Sequence, residues 1–201
     1  MRSLYSHLIS YWPLHEASGN RIDLVGQTNL LTDMNTVTGN PGIIENAAQF
    51  TSATTEYLTI ASNSNIQTGD IDFTFNFWAY MDTKPATVSW LIKYAASSGN
   101  YDYQMFYTSA TDRWQMAVAR ATDSAQVVTA NTFGAVSLST WHMVTGWHNA
   151  NADTVNLAIN AGAPDSAATG GALQAAGTAN FYLGGFAAAN NANGRMCEVG
   201  F

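Results

Sequence analysis

Apolar and polar residues alternate most clearly in two segments of the chain. In residues 73–80, phenylalanines at every second position share one face, and Thr74, Asn76 and Trp78 share the other. In residues 141–147, Trp, Met and Trp fall on odd positions, and a polar turn then leads to residues 154–159 with Val, Leu and Ile on one face. Each segment predicts a strand, and the last two predict a hairpin.

Shorter strand signals, β-branched or aromatic, recur along the chain between clusters of Gly, Asn, Asp and Ser. They fall at residues 48–50, 57–60, 104–107, 114–119, 127–130, 181–183 and 195–201. Residues 163–178 and 187–193 are rich in Ala, Gly, Asn and Ser without periodicity and are predicted to be loops. Close spacing of short strands, with no competing helical stripe, predicts an all-β antiparallel sandwich.

Composition narrows the class of partner. Of the 201 residues, 47% are hydrophobic and only 10% are charged, which predicts a packed domain with a neutral polar surface. The seven bases are scattered along a chain of net charge −7, so neither a nucleic-acid groove nor binding to an anionic membrane is expected. No segment approaches the 18 apolar residues of a membrane span, and the N-terminal residues lack the pattern of a signal peptide.

Cys197 is the only cysteine, so the chain cannot form an internal disulfide. It lies in an alternating apolar stretch near the end of the sequence, where a thiol usually fills space in the core. The fold is therefore expected to depend on side-chain packing.

The order of the short segments resembles the concanavalin A-like lectin and glucanase superfamily, in its laminin-G-like branch. The pieces that carry the resemblance are YWPL at 11–14, EASGNR at 16–21, NAAQF at 46–50, EYLTI at 56–60, FTFNFW at 73–78, TWH at 140–142 and GRMCEVG at 194–200. The resemblance covers residues 9–201 and implies a concanavalin A-like jelly roll. It implies one domain over residues 1–201, within a longer protein because the pattern stops at Phe201 in mid-strand.

The enzymes of this superfamily, the β-glucanases, resemble one another in a Glu-x-Asp-x-x-Glu strand that supplies nucleophile and acid. This sequence lacks the motif, and its four glutamates (Glu16, Glu45, Glu56 and Glu198) are far apart along the chain. The chain is therefore expected not to be an enzyme, although a two-carboxylate site assembled from distant strands stays an alternative.

Many laminin-G-like domains bind calcium, so the resemblance also implies a structural calcium ion as cofactor. Its ligands would be Glu16, Asn20, Asp23 and Asn29 in the N-terminal loop, with Glu198 closing the site from the last strand. These side chains offer the hard oxygen atoms that calcium prefers. Asp70 and Asp72 are a second choice, and turn capping is their more ordinary role.

Sugar binding needs aromatic rings that stack on apolar sugar faces, together with amides or carboxylates that bond hydroxyl groups. The middle third of the chain interleaves such residues: Trp90, Tyr94, Tyr101, Tyr103, Tyr107 and Trp114 with Asn100, Asp102, Gln104 and Asp112. Tyr101 and Tyr103, flanking Asp102, are the leading candidates, with Trp90 and Trp114 beside them. The alternative is that these aromatics pack inside the sandwich.

Two functions remain open. The first is a non-catalytic carbohydrate-binding or adhesion module of an extracellular, surface or virion protein, with a glycan or surface polysaccharide as partner. The second is a structural decoration or attachment domain, for example of a phage capsid or tail, that contacts other proteins of an assembly or copies of itself. An exposed apolar patch or a multimer in solution would favour the second.

Overall fold

Two antiparallel β-sheets pack face to face in a computed structural model that describes residues 7–26, 28–94, 101–122, 125–186 and 189–201. The first sheet has eight strands: β1 (Tyr11–Trp12), β3 (Thr38–Pro41), β4 (Asn46–Phe50), β6 (Phe73–Met81), β11 (Trp141–Asn149), β12 (Thr154–Ile159), β13 (Asp165–Ala168) and β15 (Gly194–Gly200). The second has seven: β2 (Thr32–Met34), β5 (Tyr57–Ile60), β7 (Thr87–Tyr94), β8 (Tyr101–Thr108), β9 (Arg113–Ala119), β10 (Ala125–Thr129) and β14 (Asn180–Leu183). Short 3-10 helices occupy Ser52–Thr54 and Ser64–Ile66.

The first sheet runs in the order β13-β12-β11-β6-β15-β4-β3, with β1 also paired to β15. The second runs β10-β9-β8-β7-β14-β5-β2. The last strand in sequence, β15, therefore lies inside the first sheet between β6 and β4. This order confirms the predicted all-β jelly-roll sandwich.

The core lies between the sheets. Side chains along each strand point alternately to its two faces, and the apolar ones point into this core. Phe73, Phe75 and Phe77 of β6 all face inward and are buried. Phe75 packs against Tyr103 with ring centroids 4.6 Å apart, and Trp12 stacks on Phe181 at 5.5 Å. Burial of large aromatic rings contributes strongly to stability because the hydrophobic effect scales with the apolar area removed from water.

Most predicted strands lie within observed ones, and β11 pairs with β12 as the predicted hairpin, through Asn149 opposite Thr154. Several strands were not predicted, among them β2, β3 and β7. The segment that forms β7 lacks a period-two pattern because Val88–Lys93 is buried on both of its faces. The prediction of an unbroken loop over residues 163–178 is wrong, since β13 forms there and pairs with β12. Residues 187–188 of the second predicted loop lie outside the described residues.

Cys197 is fully buried opposite Trp78 in β15, as its place in the sequence predicts. Burial raises the pKa of this thiol to about 11, so it is protonated at neutral pH and belongs to the packing of the sheet. Within the described ranges, no helix is long and apolar enough to cross a membrane.

Candidate functional site

The aromatic residues singled out in the middle third of the sequence lie in the core. Trp90, Tyr103 and Trp114 each have no exposed surface, and the indole rings of Trp90 and Trp114 lie 5.9 Å apart. The Tyr103 hydroxyl donates to the Ile66 carbonyl at 2.9 Å, and burial raises the pKa of this phenol well above its usual value. Rings enclosed by protein cannot stack on a sugar, so the prediction of a carbohydrate site on these three residues is wrong.

Asp102 is also buried, in an ion pair with Lys93. Lys93 Nζ donates to Asp102 Oδ2 at 2.6 Å, and both side chains are almost completely enclosed. The Gly177 backbone N–H donates to both Asp102 oxygens at 3.1 Å, and the Gly177 carbonyl accepts from Lys93. Asp102 therefore fastens the loop around Gly177 to the second sheet, which corrects its predicted contact with sugar. The side chains of Tyr94 and Tyr101, and all of Asn100, lie outside the described residues.

Two of the five predicted calcium ligands belong to one buried network. Asp23 accepts hydrogen bonds from the Ser10 hydroxyl and from the backbone N–H groups of Tyr11 and Val25, at 3.0–3.1 Å. Asn29 donates to Ser10 Oγ, and its backbone carbonyl accepts from the Trp12 indole at 2.6 Å. This network ties the N-terminal loops to the sandwich and leaves Asp23 with few free lone pairs for a metal.

The other three predicted ligands have different partners again. Glu16 accepts from the Ile22 backbone N–H at 2.8 Å, and the Asn20 side-chain oxygen accepts from the Asp33 backbone N–H at 3.0 Å. Glu198 bonds to the Tyr11 hydroxyl and to His15. Across the described part of the chain, no three His, Cys, Asp or Glu side chains gather as a metal site. The five residues do not form one coordination shell, and the calcium site stays a prediction without support in this geometry.

Two of the four glutamates meet at one histidine. His15 Nε2 lies 2.7 Å from Glu198 Oε1, and His15 Nδ1 lies 3.1 Å from Glu45 Oε2. The imidazole ring thus occupies the space between the two carboxylates, where a hydrolase would hold the scissile bond and its water. This arrangement connects the β3–β4 hairpin to the last strand.

Large aromatic side chains instead lie on the outer, solvent-facing side of β6 and β11. Trp78 and Tyr80 of β6 and Trp141 and Trp147 of β11 are all half-buried, and we call this set the aromatic face. The strand register places Tyr80 opposite Trp141, Trp78 opposite Met143, and Trp147 opposite Thr74. The rings of Tyr80 and Trp141 lie 5.4 Å apart. Strand pleating therefore aligns these rings along one surface.

A cavity of about 880 Å³ opens at the Trp147 end of the aromatic face. Its polar lining includes Asp72, Thr74 and Asn76 from and beside β6, and Asn149 from β11. Ser64, Asn65, Gln67 and residues 7–9 supply further lining. Its volume lies within the range of small-molecule sites, and an indole bordered by amides, a hydroxyl and a carboxylate suits a polyhydroxylated ligand.

The opposite end of the aromatic face carries a cation. The guanidinium carbon of Arg195, in β15, lies 3.8 Å from the centroid of the Tyr80 ring and 5.7 Å from that of Trp141. Arg195 Nη1 donates to the Pro41 carbonyl at 2.9 Å. The stacking and this hydrogen bond hold the planar group over the ring.

The sequence contained a signal for this surface, because alternation puts Trp78 on the face opposite to Phe77, and Trp141 and Trp147 on a shared face. It did not indicate which face is inward. In β11 the inward residues are His142, Val144, Gly146 and His148, which are smaller or more polar than the outward tryptophans.

Comparison with known proteins agrees with the fold. Residues 52–201 match the sequence model of the Laminin_G_3 family, described as concanavalin A-like lectin/glucanases superfamily. None of the curated proteins matches the sequence.

Among solved structures, the chain is similar to the binding domain of Paraclostridial Mosquitocidal Protein 1, with a TM-score of 0.79 and 14% identity over 98% of this chain and 49% of the other. It is similar to domain 4 of the extracellular arabinanase AbnA from Geobacillus stearothermophilus, in complex with arabinotriose, with a TM-score of 0.72 and 12% identity over 96% of this chain and 90% of that one. It is also similar to the binding domain of Botulinum Neurotoxin DC in complex with SialylT, with a TM-score of 0.72 and 13% identity over 98% and 48% of the two chains.

The chain thus spans about half the length of the two toxin binding domains and most of the arabinanase domain. At these identities the likeness establishes the fold. The family model matches three quarters of the chain, which therefore belongs to the Laminin_G_3 family of the concanavalin A-like lectin/glucanases superfamily.

Proposed function

We propose that the chain is a non-catalytic glycan-binding module and that the glycan lies along the aromatic face and into the adjoining cavity. The observation that carries this proposal is the row formed by Trp147, Trp78, Trp141 and Tyr80 on an outer sheet surface. Protein surfaces rarely hold several large aromatic rings in a line unless the rings meet a ligand or a partner.

The chemistry of the surface fits a sugar chain. Indole rings offer flat apolar faces for the C–H side of a sugar ring, and Thr74, Asn76 and Asn149 offer donors and acceptors for its hydroxyl groups. Trp147 and Trp141 are six residues apart on β11, which corresponds to roughly 20 Å at the rise of a strand. A ligand that touches both rings is therefore an oligosaccharide of several units.

The comparisons support the same class of function. Two of the similar structures are complexes with arabinotriose and SialylT, and their proteins are an extracellular arabinanase and a neurotoxin. By this analogy the module serves an extracellular or surface protein that is longer than this chain, and directs it to a glycan.

Replacement of Trp147 by alanine tests the proposal. Loss of a central aromatic contact should cost about 2 kcal/mol or more of binding free energy, which raises Kd roughly thirty-fold. Binding is measured by calorimetry against arabinan, xylan, mixed-linkage glucan and acidic polysaccharides. The matched control is Tyr182→Ala, because Tyr182 is half-buried on the second sheet, where its ring contacts that of Tyr57. Equal affinity of the Trp147 variant, or equal losses in both variants, would contradict the assignment of this face.

A second candidate function, attachment to other proteins of an assembly, is favoured by an exposed apolar group in the N-terminal loops. Ile22, Leu24 and Leu30 are each about half exposed, and the backbone pairing of Arg21 with Leu31 brings Ile22 and Leu30 side by side. Exposed aliphatic groups of this kind mark contact surfaces when they are contiguous.

If these residues form such a contact, sedimentation should detect a multimer that Leu24→Ser dissociates without a change in the thermal midpoint. Val127→Ser, on exposed β10, should leave the multimer intact. If the protein sediments as a monomer at every concentration tested, the chain does not attach to copies of itself through this surface.

A further inference from the structure

We propose that Arg195, together with Tyr80 and Trp141, binds the carboxylate or sulfate of an acidic sugar unit. This inference rests on the proposed glycan-binding function and specifies its ligand as an acidic polysaccharide.

The Arg195 guanidinium forms no ion pair with any carboxylate in the described part of the chain. No described carboxylate lies within 4 Å of it, whereas Lys84 pairs with Asp112, Lys93 with Asp102 and Arg21 with Glu16. Arg113 likewise forms no described ion pair, so the distinguishing feature of Arg195 is its position beside the rings of Tyr80 and Trp141. Among hydrogen bonds between described residues, Arg195 makes one, from Nη1 to the Pro41 carbonyl, so its remaining donors are available to a ligand.

The position of the group also suits an anion attached to a sugar. The guanidinium is held flat over the Tyr80 ring, so its donor edge has a fixed direction. A guanidinium binds a carboxylate or sulfate through two parallel hydrogen bonds. Tyr80 and Trp141 supply ring surface beside it, so one sugar unit can meet both an apolar face and a cation.

Asp82 is an acidic group near this site. Gln49, which is opposite Arg195 in the sheet, donates to Asp82 Oδ2 at 3.4 Å, and Asp82 is exposed. Its negative charge opposes that of an acidic ligand, so removal of the Asp82 charge should strengthen anion binding. Asp82→Asn should therefore change affinity in the direction opposite to that expected for removal of the Arg195 charge.

The test uses matched polysaccharides: polygalacturonic acid, alginate, hyaluronan and polysialic acid, each beside its carboxyl-reduced form, and heparin beside desulfated heparin. The module should bind at least one acidic polymer more tightly than its neutral form, and added salt should weaken that binding. Arg195→Met should lower affinity for the acidic polymer about ten-fold to a hundred-fold and leave affinity for its neutral form nearly unchanged. Arg195→Lys, which retains charge without the planar fork, should fall between, and Asp82→Asn should increase affinity.

Arg113→Met is the matched control, since Arg113 is half-buried on the second sheet, and it should bind like the unchanged protein. Thermal melts of each variant separate loss of binding from loss of folding. Preference for neutral polymers, or an equal effect of Arg195→Met on both members of a pair, would overturn the acidic-ligand inference and leave the glycan module intact. Failure to bind any polymer would overturn both.

Discussion

Replacing Asp102 by alanine is expected to lower the free energy of unfolding by about 3 to 5 kcal/mol, because it leaves the Lys93 ammonium buried without its partner. The Gly177 backbone N–H would lose its acceptor at the same time. For a domain of this size the change corresponds to a fall in thermal midpoint of roughly 6 to 20 °C. Chemical denaturation with two optical probes measures the effect.

Two further variants separate the ion pair from general disruption. Lys93→Met with Asp102→Leu removes both charges and should recover much of the lost stability, since apolar pairs often replace buried ion pairs well. Lys84→Ala breaks the partly exposed pair with Asp112, whose atoms are 2.7 Å apart, and should cost no more than about 1 kcal/mol. An Asp102 variant as stable as the Lys84 variant would show that the buried pair does not hold the Gly177 loop.

Gly194→Ala is expected to destabilise the fold by about 2 to 5 kcal/mol, through a steric clash added to backbone strain. Gly194 has a φ of +153°, and an added Cβ would overlap the Tyr80 backbone carbonyl and crowd Met81 Cα at 3.2 Å. Neither neighbour can move without opening the pairing of β15 with β6. The expected result is a lower unfolding midpoint in denaturant at an unchanged slope.

Gly134→Ala provides the control for strain alone. Gly134 also has a positive φ, +91°, but an added Cβ there meets no atom within 4 Å. It should cost about 1 to 2 kcal/mol, the ordinary penalty of a left-handed conformation for alanine. If both variants lose the same stability, the close approach of β15 to β6 at Gly194 does not contribute.

The alternating segments made the fold predictable. In residues 73–80 the pattern separated Phe73, Phe75 and Phe77 from Trp78, and the structure places the phenylalanines inward and Trp78 outward. Alternation works there because one face is clearly more apolar than the other. In β7 both faces are buried, so the same method found nothing.

The site was harder to predict because alternation groups residues by face without saying which face is inside. In β11 the small inward residue Gly146 faces Met105 and Met116 of the second sheet, where a Cβ would lie 2.8 Å from Met105 Cε and 2.5 Å from Met116 Sδ. The facing sheet supplies the volume, so the β11 tryptophans face outward. Which face of β11 points inward therefore depends on the side chains of the opposite sheet, and the sequence of β11 alone does not contain that information.

The calcium site stays a prediction, and its ligands were hard to choose from the sequence for a similar reason. Glu16, Asp23 and Glu198 are acidic and lie near loops or strand ends, but each already bonds to protein groups, among them the Ile22 N–H, the Tyr11 N–H and His15 respectively. Such partners come from distant positions: Glu198 and His15 are 183 residues apart. Composition indicates which atoms could bind a metal, and only the fold decides which of them converge.

The place of β15 has a consequence for synthesis on the ribosome. Because β15 lies between β6 and β4, the first sheet stays divided into two parts until residues 194–200 have left the exit tunnel. Until then β4 and β6 each expose an unpaired edge, which is a known template for wrong strand pairing. The first sheet, with the Arg195 end of the aromatic face, is therefore completed late in synthesis. Before that, the nascent chain is prone to aggregate through the open edges.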